Sequence, residues 1–318
     1  MNEIRIIFFG STSDSVIVAR KLSELQIPNY GLRISAVVTQ PPKPIGRKQI
    51  ITPTPVEVWA KDNTIPVLSF PSDTQKPWLY KDEGLVADTL APFKADLLLS
   101  ASYGQKIPNR TIREARYGGV NIHPSSLPRW RGADPVPWAI LSGDHQIGVT
   151  IVTVTEEFDG GKILAQHKIP IGSDDFSDPL RSKLFTLGAE LLSTTLSDFL
   201  AGSLKGAIQD PKKITVARRF TRDDGLIPWE TLRQAITDGT DAIRIERTFR
   251  ALSPWPGLWT EIETRDKKPE IRKTKRRVKI LACHLSHDSS LTLDSVQLEG
   301  KKPVSWKQFA SAYPAHAT

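Results

Sequence analysis

Cysteine is almost absent. A single one, Cys283, stands in 318 residues, which excludes an internal disulfide framework and any metal site built on clustered thiolates. Histidine is scarce too. The six, at 123, 145, 167, 284, 287 and 316, show neither HExxH nor comparable ligand spacing, so no bound metal is expected. No apolar run approaches the roughly 18 residues of a membrane-spanning helix, so no membrane partner is expected. The first strand-to-helix loop, Gly10-Ser-Thr-Ser, lacks GxGxxG and fits a tight turn better than a dinucleotide site. Ile4 already opens a strand, so no signal or transit peptide is expected within this chain. No internal repeat or low-complexity tract is present.

What is there fits a globular protein of about two domains, with 39% apolar and 25% charged residues. Lys and Arg number 43 against 35 acidic residues, a net charge of +8 and a pI near 9.5. The basic residues gather at 43–48, 212–222 and 267–279. Three separated patches suit an extended polyanion such as nucleic acid better than a small anion.

Residues 4–9 read as a strand buried on both faces. Residues 14–25 carry Val16, Ile17, Ala19, Leu22 and Leu25 at helical spacing, and 34–38 form the next strand. This β-loop-α-β opening predicts a doubly wound sheet. Residues 39–55, TQPPKPIGRKQIITPTP, form a proline-rich basic loop, longer than an ordinary connection. Short elements at 56–61 and 65–68, a helix at 85–93 and a strand at 95–100 lead to the central stretch GGVNIHPSSLPRWRGADP. A helix at 136–141, a strand at 148–155, the turn EEFDGG and a returning strand at 163–169 follow. Residues 178–200 form a long helix whose leucine stripe is core. Composition changes after Ala201, so 1–201 reads as one domain, 202–221 as a linker and 222–318 as a second domain. The expected fold is α/β: a Rossmann-like, mostly parallel sheet with helices on both faces, plus a C-terminal OB-like β-barrel domain.

In the central stretch a strand at 119–122 runs into a proline-rich loop. Asn121 and His123, two residues apart, point to one face, at the kind of strand end where open α/β sheets carry their sites. Asp159 lies 38 residues downstream in the turn. An Asn amide can donate to a developing oxyanion, and an imidazole steadied by a carboxylate can move a proton. The three suit acyl transfer to an amine. By spacing alone, the histidine also fits a structural hydrogen-bonder and the aspartate a plain turn residue.

NIHPSSLPRWRGADP resembles the signature of the 10-formyltetrahydrofolate-dependent formyltransferases. The similarity runs nearly the whole chain, through RIIFFGS, TQPPKPIGR, SYGQKIP, GVTIVTV…FDGGKIL, FRALSPWPGLWTEI and VQLEGKKPVS. It is strongest to the branch whose acceptor is methionyl initiator tRNA. The resemblance implies a Rossmann-like catalytic domain and an OB-like tRNA-binding domain, with 10-formyltetrahydrofolate as formyl donor; a monomer is expected. It implies Asn121, His123 and Asp159 as the catalytic triad, and Ser125, Ser126, Leu127 and Pro128 as a folate-contacting segment walled by Tyr103 and Gly104. It implies Lys43, Arg47 and Lys48 as contacts to the tRNA acceptor stem. Two departures stand out: SSLP in place of SLLP, and Pro124 after the histidine where bacterial relatives often have glycine. The FDGG form and the high pI point to the mitochondrial matrix, with the bacterial cytoplasm as the alternative. Within the family, an amino-sugar or nucleotide-precursor acceptor is the rival reading, and outside catalysis an RNA-binding protein on the same fold.

Overall fold

Residues 6–9 and 97–101 are buried at every position, as strands covered on both faces must be. The computed structural model describes residues 2–46, 48–264 and 274–314. In chain order the elements are β1 (Asn2–Phe9), α1 (Ser13–Glu24), β2 (Tyr30–Thr39), β3 (Lys43–Ile45), β4 (Ile50–Thr52), α2 (Pro55–Asp62), β5 (Val67–Ser69), α3 (Glu83–Leu90), β6 (Leu97–Ala101), α4 (Asn109–Glu114), β7 (Gly119–His123), β8 (Arg131–Gly132) and α5 (Pro135–Leu141). Then come β9 (Gln146–Thr153), β10 (Ile163–Pro170), α6 (Ser177–Leu200), β11 (Val216–Ala217), α7 (Trp229–Thr237), α8 (Ala242–Leu252), β12 (Leu258–Thr264), β13 (Thr274–Leu285), β14 (Leu291–Leu298), β15 (Val304–Ser305) and α9 (Trp306–Ala312). Two compact units result. One holds the chain up to Pro135 with Gln146–Pro170 and Leu180–Arg218; the other holds Val136–His145, Ile171–Pro179 and the chain from Arg219.

The first unit is built on a seven-stranded sheet in the order β10-β9-β7-β6-β1-β2-β5. The strands from β5 to β7 are parallel, and β9 and β10 close the far side antiparallel. Alternation divides its side chains. Ile7, Phe9, Ala36, Val38 and Leu98 pack on one face with Phe70, Tyr80, Val86 and Leu90, while Ile6, Phe8, Val37, Leu97 and Leu99 are buried on the other. Each buried Val, Leu, Ile or Phe among them contributes about 1.5–3 kcal/mol. Helix α1 starts on a capping box between Thr12 and Ser15. Its fully buried Asp14 accepts from Arg181 Nε and Ser182 Oγ of α6, both at 2.6 Å, so the buried carboxylate is paired. The Gly10 loop is the tight turn its sequence predicts, because a Cβ there would lie 2.6 Å from Ser15 Cβ.

Helix α6 carries a glycine mid-helix, at a cost of about 1 kcal/mol relative to alanine. The cause is proximity: a Cβ on Gly188 would lie 2.5 Å from Ile122 Cγ2 and 2.7 Å from Val149 Cγ2. The helix thus rests directly on β7 and β9.

Several elements differ from expectation. Within residues 39–55, β3 and β4 pair as an antiparallel ribbon, Lys43 opposite Thr52. The helix expected over 85–93 ends at Leu90 and tightens into a 3-10 turn, Ala91–Phe93. Helices α4, α7 and α9 add to the expected elements. Of residues 202–218, Val216 and Ala217 pair parallel with Arg131 and Gly132.

The second unit holds an antiparallel sheet in the order β12-β13-β14-β15, a small barrel-like arrangement. Leu258, Ile262, Val278, Ile280, Leu293 and Val296 face Leu232 and Ala235 of α7, Ile245 and Phe249 of α8 and Phe309 of α9 in one core. Among the described residues, no helix is long and apolar enough to cross a membrane.

Candidate active site

Strands β6 and β7 run parallel with Ser100 beside Asn121 and Ala101 beside Ile122. Their C-terminal ends therefore deliver residues 102–104 and 123–128 to one edge of the sheet. On the other side of β7, β9 runs antiparallel with Thr150 beside His123, and its continuation past Thr153 carries the turn to Asp159.

Asn121, His123 and Asp159 converge on one atom. Asn121 Nδ2 donates to Asp159 Oδ1 at 3.2 Å, and His123 Nδ1 lies 3.4 Å from the same oxygen. The other ring nitrogen, Nε2, is 2.8 Å from the Trp130 carbonyl oxygen. A carbonyl only accepts, so this bond assigns a proton to Nε2, while Nδ1 is the nitrogen that faces the carboxylate. Asp159 Oδ2 accepts the Gly132 N–H at 2.8 Å. The His123 and Asp159 side chains are 5% and 9% exposed, and in such surroundings aimed hydrogen bonds act more strongly than in water. The cluster offers an amide donor, a proton carrier and a fixed negative charge. That set can stabilise an oxyanion and shuttle a proton between two nitrogens.

Residues 4–196 match the formyl transferase family. A methionyl-tRNA formyltransferase from Listeria innocua is 38% identical over 263 residues, spanning 81% of this chain and 76% of the relative. This chain belongs to the formyl transferase family. A methionyl-tRNA formyltransferase from a Geobacillus species is 34% identical over 328 residues, covering 99% of this chain and 96% of its own. In fold, the chain is similar to an N-formyltransferase from Helicobacter canadensis solved with folinic acid and dTDP-3-aminofucose, with a TM-score of 0.57 at 15% identity over 89% of this chain and 88% of that one.

The other expected residues of this formyl transferase fall at different depths. Ser125 is fully buried and donates its hydroxyl to the Arg129 carbonyl at 2.8 Å; Leu127 is buried as well. Ser126 and Pro128 are half-buried. A ligand reaching this segment therefore meets main chain and the two half-buried positions, rather than the Leu127 side chain. Tyr103 and Gly104 follow β6 at the same sheet edge, half-buried. Tyr103 is edge-on to Phe9 at 5.5 Å and hydrogen-bonds the Tyr80 hydroxyl at 2.6 Å and Gln105 Oε1 at 3.1 Å. Burial pushes both phenol pKa values up, so both stay protonated donors. Lys43 and Lys48 are exposed on and beside the β3–β4 ribbon, which follows β2, three strands from β7 in the sheet. Arg47 lies outside the described residues.

Residues without a sequence signal complete the site. Thr150 Oγ1 donates to the Ser125 carbonyl at 2.6 Å and accepts from Leu127 N and from Gln166 Nε2, which also donates to the Leu127 carbonyl. This knot fixes the loop at 125–128. Its one clue is a fully buried threonine within VTIVTVT. Gly132 sits at φ 110°, and a Cβ there would lie 2.8 Å from the Ala217 carbonyl oxygen. Only glycine brings this N–H to Asp159 at that backbone angle. Arg131 and Gln209, both buried, back the turn that carries Asp159.

Proposed function

We propose that this chain, as a monomer, transfers the formyl group of 10-formyltetrahydrofolate to the amino group of methionyl initiator tRNA. The observation that carries the chemistry is the convergence of Asn121 Nδ2 and His123 Nδ1 on Asp159 Oδ1. The acceptor is supported by relatives named for methionyl-tRNA that cover most of the chain. The folate supplies an activated formyl carbon on nitrogen. The donor set fits it: Asn121 spends one amide proton on Asp159 and has a second for the formyl oxygen as it gains charge. His123 takes the proton of the attacking amine and returns it to the departing folate nitrogen, as the new C–N bond forms and the old one breaks. Asp159 holds the ring. No serine or cysteine nucleophile is needed.

Ser125, Ser126, Leu127 and Pro128 seat the folate through main chain, against Tyr103 and Gly104. Lys43, Arg47 and Lys48 meet the acceptor stem, where phosphate contacts set position and salt dependence. The relatives named above are bacterial, which supports the bacterial cytoplasm over the matrix as the place of action.

The test is a formylation assay with 10-formyltetrahydrofolate and charged initiator tRNA, with an amino sugar as control acceptor. Formylmethionyl-tRNA is expected from the wild type, and His123→Ala is expected to lose about 10²–10⁴-fold in rate while staying folded. Near-wild-type rates in that variant, or formylation of the sugar instead, overturn the reading.

A further inference from the structure

Gln209 is 6% exposed. Its Nε2 donates to two main-chain carbonyls, those of Asp159 at 2.6 Å and Gly161 at 2.8 Å. Its Oε1 accepts from Arg131 Nε at 3.0 Å. Two carbonyls on one side and a guanidinium on the other allow the amide a single orientation. Asp159 sits at φ 54°, in the left-handed region that a non-glycine residue keeps only when its surroundings hold it there. Its carbonyl, together with that of Gly161, lies outside any strand or helix, and Gln209 supplies the donors.

The bonds close a ring. Arg131 holds Gln209, Gln209 holds the Asp159 main chain, and the Asp159 carboxylate returns to the N–H of Gly132, the residue after Arg131. The stretch that contributes Gln209 is itself fastened to the same place: Arg131 N donates to the Thr215 carbonyl and Ala133 N to that of Ala217, both at 2.9 Å. We infer that Gln209 is a positioning residue for formyl transfer, setting where the Asp159 carboxylate stands relative to Asn121 and His123. This rests on the catalytic role proposed above for Asp159. The carboxylate is fixed by its own backbone at one end and by Gly132 at the other, and loss of Gln209 frees the backbone end.

Gln209→Leu keeps the volume and removes all three bonds; Gln209→Glu keeps the acceptor for Arg131 and removes only the two donors. Both are expected to lower kcat by about 10–100-fold, with KM for folate and for charged tRNA within about twofold, as a misplaced catalytic group does. Asp159→Asn with Gln209→Leu is expected to be no slower than Asp159→Asn alone, because Gln209 acts through that carboxylate. A role confined to stability would show a second full loss in the double variant. Deuterium exchange of a peptide spanning residues 156–163 is expected to rise in Gln209→Leu, and this readout needs no turnover. A kcat within twofold of wild type, multiplicative losses in the double variant, or unchanged exchange would each overturn the inference. A wild-type chain that formylates no tRNA would instead sink the functional reading, while the exchange measurement still decides whether Gln209 holds the turn.

Discussion

Replacing Gly188 by alanine is expected to destabilise the protein, against the rule for glycines inside helices. Ordinarily the change stabilises by about 1 kcal/mol. Here the new methyl would stand 2.5 Å from Ile122 Cγ2 and 2.7 Å from Val149 Cγ2, well inside the roughly 3.5–4.0 Å of carbon–carbon contact. Neither partner can yield cheaply. Ile122 and Val149 are 1% and 0% exposed, and both are β-branched, with restricted χ1. Overpacking of this kind costs about 1–3 kcal/mol, and the severity of two simultaneous clashes places it at the upper end. After the helix gain, a net loss of about 1–2 kcal/mol remains, or roughly 2–8 °C in Tm for a unit of this size. Activity falls as well, because Ile122 lies between Asn121 and His123 and a shifted β7 moves both. Thermal unfolding followed by calorimetry checks the first, and the formylation rate checks the second. A Tm that rises on substitution would refute the reasoning, since it would mean that helix and sheet part without cost.

Lys43→Ala with Lys48→Ala is expected to raise KM for charged tRNA, lower the slope of binding against log salt by about 1–2 and leave folate KM unchanged; filter binding at several salt concentrations measures it. Burial pushes the Cys283 thiol up to about 12, so iodoacetamide at pH 8 is expected to label the native chain at least about 100-fold more slowly than the unfolded one, as mass spectrometry would show. Hydrogen bonds from Arg5 hold the Asp96 carboxyl below its ordinary value of 3.8. A carboxylate depressed in the folded state stabilises above its unfolded pKa and loses that contribution as pH falls through the folded value. Asp96→Asn is therefore expected to unfold earlier in urea at pH 7, and its gap to wild type is expected to close as pH drops below 3.8.

Sequence periodicity located what repetition makes visible. The runs at 4–9 and 95–100, and the leucines of 178–200, are long enough for burial on one or both faces to dominate their composition. The pairing of Asn121 with His123 followed from the period of a strand, and Asp159 was found by its turn and by the resemblance. Gln209 was not legible. Its surroundings, AIQDPKK, read as a polar connector, and a lone glutamine whose partners are carbonyls 48 and 50 residues away leaves no local pattern. The short helices α4 and α9 left no sustained pattern either, and the β3–β4 ribbon, with Pro44 in β3 and prolines on both sides, read as loop. Gly188 did not hide the helix around it, but its reason, the closeness of β7 and β9, has no trace in the sequence.

The donor that holds Asp159 Oδ2 belongs to the main chain of Gly132, and this hides it from any alanine scan. Deleting a side chain cannot remove an N–H. Proline, which would, needs φ near −65°, whereas this position stands at 110° with a neighbouring carbonyl 2.8 Å from where a Cβ would go. Saturation mutagenesis will therefore score position 132 as intolerant to every replacement, by misfolding, and the hydrogen bond will go uncounted. Separating the two calls for an ester in place of that amide, a change of one backbone atom.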